Sequence, residues 1–353
     1  MCGFGDAVCY LPFLKAVREH FPQARIVCVV VSPPARTVLE AGVDNVTVIV
    51  FNRSGQQRGW RSLLKFLRRI RQYKFDVVIS GAHPDSPRIP LVAALSGATI
   101  RIGARAERLS FLYTRLLDIP TDSHAYERFR SLLTGLDINL SPDQYVPAVQ
   151  PAPMGRAGAE KLWAEAGLDK TSLVIGLASG ADTNSRGPWK PYLKRWKPER
   201  YAELATWISR ELGGQAVMFG GMEERVLAEQ IAATARVPIV DFCGKAGIQE
   251  LSWLLQMCAV LVTNDTGVMH LAAAVGTPVV ALFGPTSPLG FAPAGAMIVQ
   301  GKIHCSPCYP YPTCDLKGCG AMDDISAARV KDSLRTTLST LKKKCETHEI
   351  GVP

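Results

Sequence analysis

Short apolar runs alternate with amphipathic stretches along the first half of the chain. Residues 25–31, 46–50, 76–80 and 99–103 are rich in β-branched side chains and bounded by turn formers, which predicts buried parallel strands. Between them, residues 7–21, 34–41, 59–73 and 87–96 space their apolar positions at helical intervals and predict crossover helices. Residues 141–155 break this rhythm with Pro142, Pro147, Pro151 and Pro153, as an interdomain linker does. The alternation then restarts. Strands are predicted at 173–178, 215–219, 259–263 and 278–283, and helices at 198–212, 222–236, 248–257, 267–275 and 326–344. The helix at 198 opens on Pro198 and stops at Gly213–Gly214, the favoured order of those residues. Repeated β–α alternation of this kind predicts an α/β protein of two doubly wound, Rossmann-like sheets with right-handed crossovers. Ligands then belong at the carboxyl ends of the strands. The expected layout is an N-terminal domain at 1–150, a second domain at 151–325, and a C-terminal helix at 326–353 that packs back on the first domain.

Composition fits this picture. The chain has 353 residues, 47% hydrophobic and 20% charged, enough to fill two cores and too apolar for wholesale disorder. Its longest apolar stretches, such as 279–283, are far short of a membrane span. Asp6 stands where a secretion signal carries a basic residue and an apolar run, so a cytoplasmic protein is expected. The net charge of +9 favours anionic partners: nucleic acid, a phosphorylated glycolipid or an acidic membrane face. Nucleic acid is not expected, because no RNP pattern or zinc-finger spacing appears.

The most informative stretch is 263–276, TNDTGVMHLAAAVG. A strand ends at Thr263, Asn264 to Thr266 supply three helix-capping residue types, and a helix runs from Gly267 to Gly276. Gly267 lets a ligand approach the backbone, and the first-turn N–H groups suit an anion. Thr266 and His270 are four residues apart and share one helix face. The same residues would also serve a well-capped structural helix, with His270 satisfied locally.

The run NDTGVMHLAAAVGTPVVALFGPTSP resembles the signature of glycosyltransferase family 9, the ADP-heptose:lipopolysaccharide heptosyltransferase family. Residues 194–201 (KRWKPERY) are similar to that family's Lys-Arg-Trp-Pro motif opening a helix. Residues 219–224 (FGGMEE) resemble its next strand-to-helix turn, and Gly5–Asp6 with Leu11–Pro12 match its first segment. The resemblance implies GT-B architecture, two facing Rossmann-like domains, with inverting, metal-independent transfer of heptose and no catalytic cofactor. It assigns Asp265, Thr266, Gly267 and His270 to the diphosphate region of a nucleotide-sugar donor, Lys194 to the charge on the departing nucleotide, and Glu223 or Glu224 to hydroxyl groups. Asp6 becomes the general base, where a helix cap is the plainer reading of the residue. The acceptor becomes an anionic glycolipid such as a lipopolysaccharide core, met at the cytoplasmic face of the inner membrane. Relatives place an apolar strand before the Gly-Asp turn, whereas only Met1 and Cys2 precede Gly3, so a first strand is expected to be missing.

Two further features stand apart. Cys305, Cys308, Cys314 and Cys319 include one pair at metal-knuckle spacing, so a structural Zn2+ is one expectation and thiols packing a Pro-rich loop the other. Arg53, Arg58, Arg61, Lys65, Arg68, Arg69, Arg71 and Lys74 crowd a segment whose other side is apolar. That pattern fits a sheet-packed helix with a solvated basic face, or a surface for a phosphorylated lipid. Two functions compete with transfer: a nucleotide-sugar 2-epimerase, which needs more acid and base groups than Asp6 and His270, and a non-catalytic nucleotide-sugar binder.

Overall fold

A computed structural model describes residues 3–51, 59–80, 88–120, 123–169, 171–181, 191–308 and 319–349. The chain divides into two compact units, Met1–Ala148 and Val149–Pro353.

In the first unit the order is α1 (Phe4–His20), β1 (Ile26–Val30), α2 (Pro33–Gly42), β2 (Val46–Val50), α3 (Trp60–Arg71), β3 (Val77–Ile79), α4 (Arg88–Leu95), β4 (Ile100–Ala104), β5 (Arg115–Leu117) and α5 (Ala125–Leu133). All strand pairs are parallel, and they form two sheets, β1–β2 and β3–β4–β5. Among the described residues no strand joins β1 to β3, and α1 starts directly at Phe4. Helix α3 turns Phe66 and Ile70 onto Ile49 and Phe51 of the first sheet, with Leu63 and Leu67 beside them. That i, i+3, i+4, i+7 spacing is the apolar stripe read from the sequence.

The second unit runs α6 (Arg156–Glu165), β6 (Val174–Ala178), α7 (Pro198–Leu212), β7 (Gln215–Met218), α8 (Arg225–Thr234), β8 (Val240–Asp241), α9 (Ile248–Gln256), β9 (Val260–Asn264), α10 (Gly267–Ala274), β10 (Val279–Phe283), α11 (Pro288–Phe291), β11 (Met297–Gln300) and α12 (Ala327–Glu349). Its six strands are parallel in the order β11-β10-β9-β6-β7-β8. Every residue of β6, β9 and β10 is buried, as strands covered on both faces require. Helix α7 packs Tyr201, Leu204, Ala205 and Ile208 on the sheet and ends at Gly213, whose φ of +63° suits glycine. Helix α12 is part of the second unit, where Val330 and Leu334 enter the core beside Val280 and Leu282. Lys331 reaches Glu203 of α7 at 2.7 Å.

The topology fixes where a ligand fits in this unit. From β6 the chain first adds β7 and β8 on one side, then crosses back to place β9 on the other. The carboxyl ends of β6 and β9 therefore border a topological switch point, the crevice where open α/β sheets bind ligands.

Candidate donor-binding site

Asn264, the last residue of β9, ties the switch point together. Its amide nitrogen donates to the carbonyls of Ser179 (2.8 Å) and Gly180 (3.0 Å), just beyond β6. Its amide oxygen accepts from the Trp196 backbone N–H (3.3 Å) and faces the Tyr201 hydroxyl (3.0 Å), whose single proton also faces the Ala178 carbonyl. The residue is fully buried with every hydrogen-bonding position engaged, and its backbone partners fix which end of the amide points where. One side chain thus joins two strand ends to the loop that carries Lys194.

Lys194 follows from that loop. Its ammonium donates to the Asp265 carboxylate at 2.8 Å, with 18% of the Lys194 side chain and 10% of the Asp265 side chain exposed. Burial works to raise the Asp265 pKa, but Lys194 and His270 outweigh it and hold the carboxyl below its usual range. Thr286, in the turn after β10, adds to that effect without an aligned hydrogen bond of its own. An ammonium has three protons. One is donated to Asp265, which aims the group.

Thr266 occupies the N-cap position of α10, yet it makes no capping hydrogen bond. Its hydroxyl is buried and finds no partner among the described residues. The Ser179 hydroxyl, across the switch point after β6, is buried and unpartnered in the same way. Buried hydroxyls are normally paired, so two without a partner among the described residues make this helix start a candidate ligand site. The α10 N-terminus adds unpaired backbone N–H groups and the positive end of the helix dipole. The sequence reading of Asn264 to Thr266 as helix caps is thereby corrected: Asn264 serves the strand ends, Asp265 the Lys194 ammonium, and Thr266 faces inward uncapped.

Glu224 lines the turn after β7. Its carboxylate accepts from the Gly221 N–H at 2.9 Å and stands 3.9 Å from the Arg195 guanidinium. Burial raises its pKa, and those two contacts only partly offset the shift. A Cβ at either Gly180 or Gly220 would come within 2.6 Å of the Glu224 side chain, so both glycines make room for it. Glu223, the other acid named from sequence, is exposed on the same turn.

The structure brings Lys194, Asp265, Thr266, Gly267 and His270 together at one end of one sheet. Asn264 and Ser179 were missed as site residues, although each is a polar residue at the end of a mainly apolar run. Asp6 belongs to the first unit. It lies half-buried in the first turn of α1, where its carboxylate accepts from the Gly3 N–H at 3.1 Å. The Cys308 thiol donates to the Cys305 carbonyl at 2.8 Å, and the Cys308 N–H donates to the Pro285 carbonyl, bracing the turn after β10. Among the described residues no three His, Cys, Asp or Glu side chains gather to hold a metal; Cys314 lies outside them. Arg53 and Arg58 also lie outside.

The whole architecture has close counterparts. A crystal structure of a glycosyltransferase family 9 protein from Veillonella parvula matches with a TM-score of 0.76 at 24% identity, over 96% of this chain and 95% of that one. The ADP-heptose lipopolysaccharide heptosyltransferase II of E. coli matches with a TM-score of 0.70 at 23% identity, over 96% and 97% of the two chains. The fold is that of the GT-B class. Residues 63–317 match the model of glycosyltransferase family 9 (heptosyltransferase), and the chain belongs to that family. Lipopolysaccharide heptosyltransferase 2 of E. coli K12 is 28% identical over 294 residues, 80% of this chain and 81% of that protein. Lipooligosaccharide heptosyltransferase 2 of Haemophilus influenzae is 37% identical over 119 residues, so that match spans 33% of this chain and 32% of the relative. No helix among the described residues is long and apolar enough to cross a membrane.

Proposed function

We propose that the protein transfers heptose from ADP-heptose to a lipopolysaccharide-core-like acceptor, with inversion, without a metal, at the cytoplasmic face of a membrane. The observation that carries the donor half is the pair of unpartnered buried hydroxyls, Ser179 and Thr266, beside an ammonium that Asp265 holds in place. An E. coli heptosyltransferase solved with ADP-2-deoxy-2-fluoro heptose shares the fold at a TM-score of 0.64 and 19% identity, and its ligand is the donor class proposed here.

In this reading the α10 N–H groups, Thr266 and Lys194 hold the diphosphate. As the anomeric bond breaks, negative charge gathers on the departing ADP oxygen, and fixed donors there favour the transition state over the ground state. Asp6 takes the proton from the acceptor hydroxyl as its oxygen attacks the anomeric carbon from the opposite face, which inverts it. The diphosphate leaves without needing a proton donor, so one carboxylate suffices.

Calorimetry with ADP-heptose, GDP-mannose and UDP-N-acetylglucosamine tests the donor. Tight binding of ADP-heptose, weakened about tenfold or more by Thr266→Val, is the expected result. Asp6→Asn should keep that affinity and lose transfer. Equal affinity of wild type and Thr266→Val would overturn the donor site.

A further inference from the structure

We infer that the face of the first unit formed by α3, α4 and the segment after β4 is a docking surface for an anionic lipid bilayer. The inference deepens the proposed function by naming the surface that meets the acceptor's lipid, and it rests on that reading only for the acceptor's identity.

Charge is concentrated there. Residues 59–117 hold eleven Lys and Arg against three Asp and Glu; two of the eleven, Arg105 and Arg115, pair with Asp118 and Asp137 beyond the segment, and the other nine remain. One of the three acids, Glu107, is buried and offers nothing to the surface. On α3 the inward stripe is used up by Phe66 and Ile70, so Arg61, Lys65, Arg68 and Arg69 stand on the exposed side.

A solvated basic helix accounts for the charge but not for what lies among it. Trp60 is 65% exposed and Phe111 76%, and Leu64, Leu91, Leu95 and Leu109 are exposed as well. These six come from three elements that touch in sequence, α3 on α4 and α4 on the short 3-10 turn Ser110–Leu112. Large apolar side chains grouped in this way mark a contact surface. Aromatic and leucine tips among long basic side chains match the depth profile of a bilayer: the apolar tips enter the acyl boundary, while Lys and Arg extend to lipid phosphates. The Arg61 guanidinium lies over the Trp60 ring, 5.5 Å from its centre, so cation and anchor are presented together.

The loop carrying Leu109 and Phe111 is held rigid from below. Glu107 accepts from the Tyr113 hydroxyl (2.6 Å), the Ser80 hydroxyl (3.0 Å) and the Ala104 N–H (3.4 Å). Leu109 has a φ of +64°, which leucine rarely adopts. The chain thus keeps an exposed leucine in a strained conformation over a buried polar brace, an arrangement that serves presentation rather than packing.

Co-sedimentation of the full chain with vesicles tests this. Binding to vesicles containing phosphatidylglycerol, and little to pure phosphatidylcholine, is expected. Arg61→Gln/Lys65→Gln/Arg68→Gln should weaken partition roughly tenfold or more. Trp60→Ser/Phe111→Ser should abolish the binding that survives 0.5 M salt, because that remainder is apolar. Both variants should keep wild-type donor affinity by calorimetry, which separates failure here from failure of the donor site. Independently of variants, brominated lipids should quench wild-type tryptophan fluorescence, and Trp60→Phe should remove that quenching. Absence of binding to anionic vesicles, equal binding to both lipids, unaltered binding in both variants, or quenching unaffected by Trp60→Phe would each overturn the inference.

Discussion

Replacing Lys194 separates what the Lys194–Asp265 pair does for stability from what it does for the donor. Lys194→Met leaves the Asp265 carboxylate, only 10% exposed, without the cation that outweighs its burial. Breaking a buried pair by removing one partner costs about 3–5 kcal/mol. The pH dependence should change sign. In the wild type the lowered Asp265 pKa contributes stability that is present above the ordinary carboxyl value of 3.8 and is lost as pH falls through the lowered one. Without Lys194, burial prevails and raises that pKa, so the folded state holds the proton more firmly than the unfolded chain. Stability then falls as pH rises. Lys194→Met/Asp265→Asn removes both charges and should recover stability to within about 1–2 kcal/mol of wild type, since a neutral replacement of a buried pair is nearly neutral. Donor affinity should not recover. A charge-assisted hydrogen bond to the diphosphate is worth about 1.5–3 kcal/mol, or roughly 10–150-fold in affinity. Denaturant unfolding followed by tryptophan fluorescence suits the measurement, because five of the six tryptophans lie in the second unit. Calorimetry with ADP-heptose supplies the other half. A single variant as stable as wild type, or a double variant that binds donor normally, would refute the reasoning.

Asn264→Ala should destabilise the second unit by about 3–6 kcal/mol, because the Ser179 and Gly180 carbonyls and the Trp196 N–H lose a buried partner; hydrogen exchange at the ends of β6 and β9 reads the local effect. Glu107→Gln tests the brace in the first unit. Burial raises the Glu107 pKa above 4.5, so its contribution to stability falls as pH rises through the raised value, and Gln should flatten that slope in thermal melts. A steeper slope would show that Glu107 is held as a carboxylate. Gly220→Ala sets a new methyl 2.6 Å from the Glu224 Cβ and should push the whole turn back, lowering donor affinity and melting temperature together, measured by calorimetry and differential scanning.

Strong local signals made much of the fold legible. Helix α7 runs from Pro198 to Leu212 as predicted, because Pro at its first turn and Gly after its last are unambiguous local signals. Strands β2 and β9 and the start of α10 were equally plain. The short strands β5, β8 and β11 escaped, since two to four residues with mixed burial carry no periodicity and are fixed by the neighbour they pair with. At the site, Asp265, Thr266 and His270 were legible from their place at a strand-to-helix turn. The engagement of Asp265 with Lys194, 71 residues earlier, was not, nor was Asn264 as the tie between β6 and β9. Both depend on strand order, and β9 lies beside β6 only because the chain crosses back over a sheet it has already begun.

The place of α12 in the second unit has a consequence for biosynthesis. The first unit closes on residues synthesised by Ala148, whereas Val280 and Leu282 wait for Val330 and Leu334 before their core is complete. Translation at about 5–20 residues per second takes roughly 4–14 s from the end of β9 to Leu334. During that interval the nascent second sheet presents apolar surface to solvent, and a chain cut short late in the message would carry one finished half and one adhesive half.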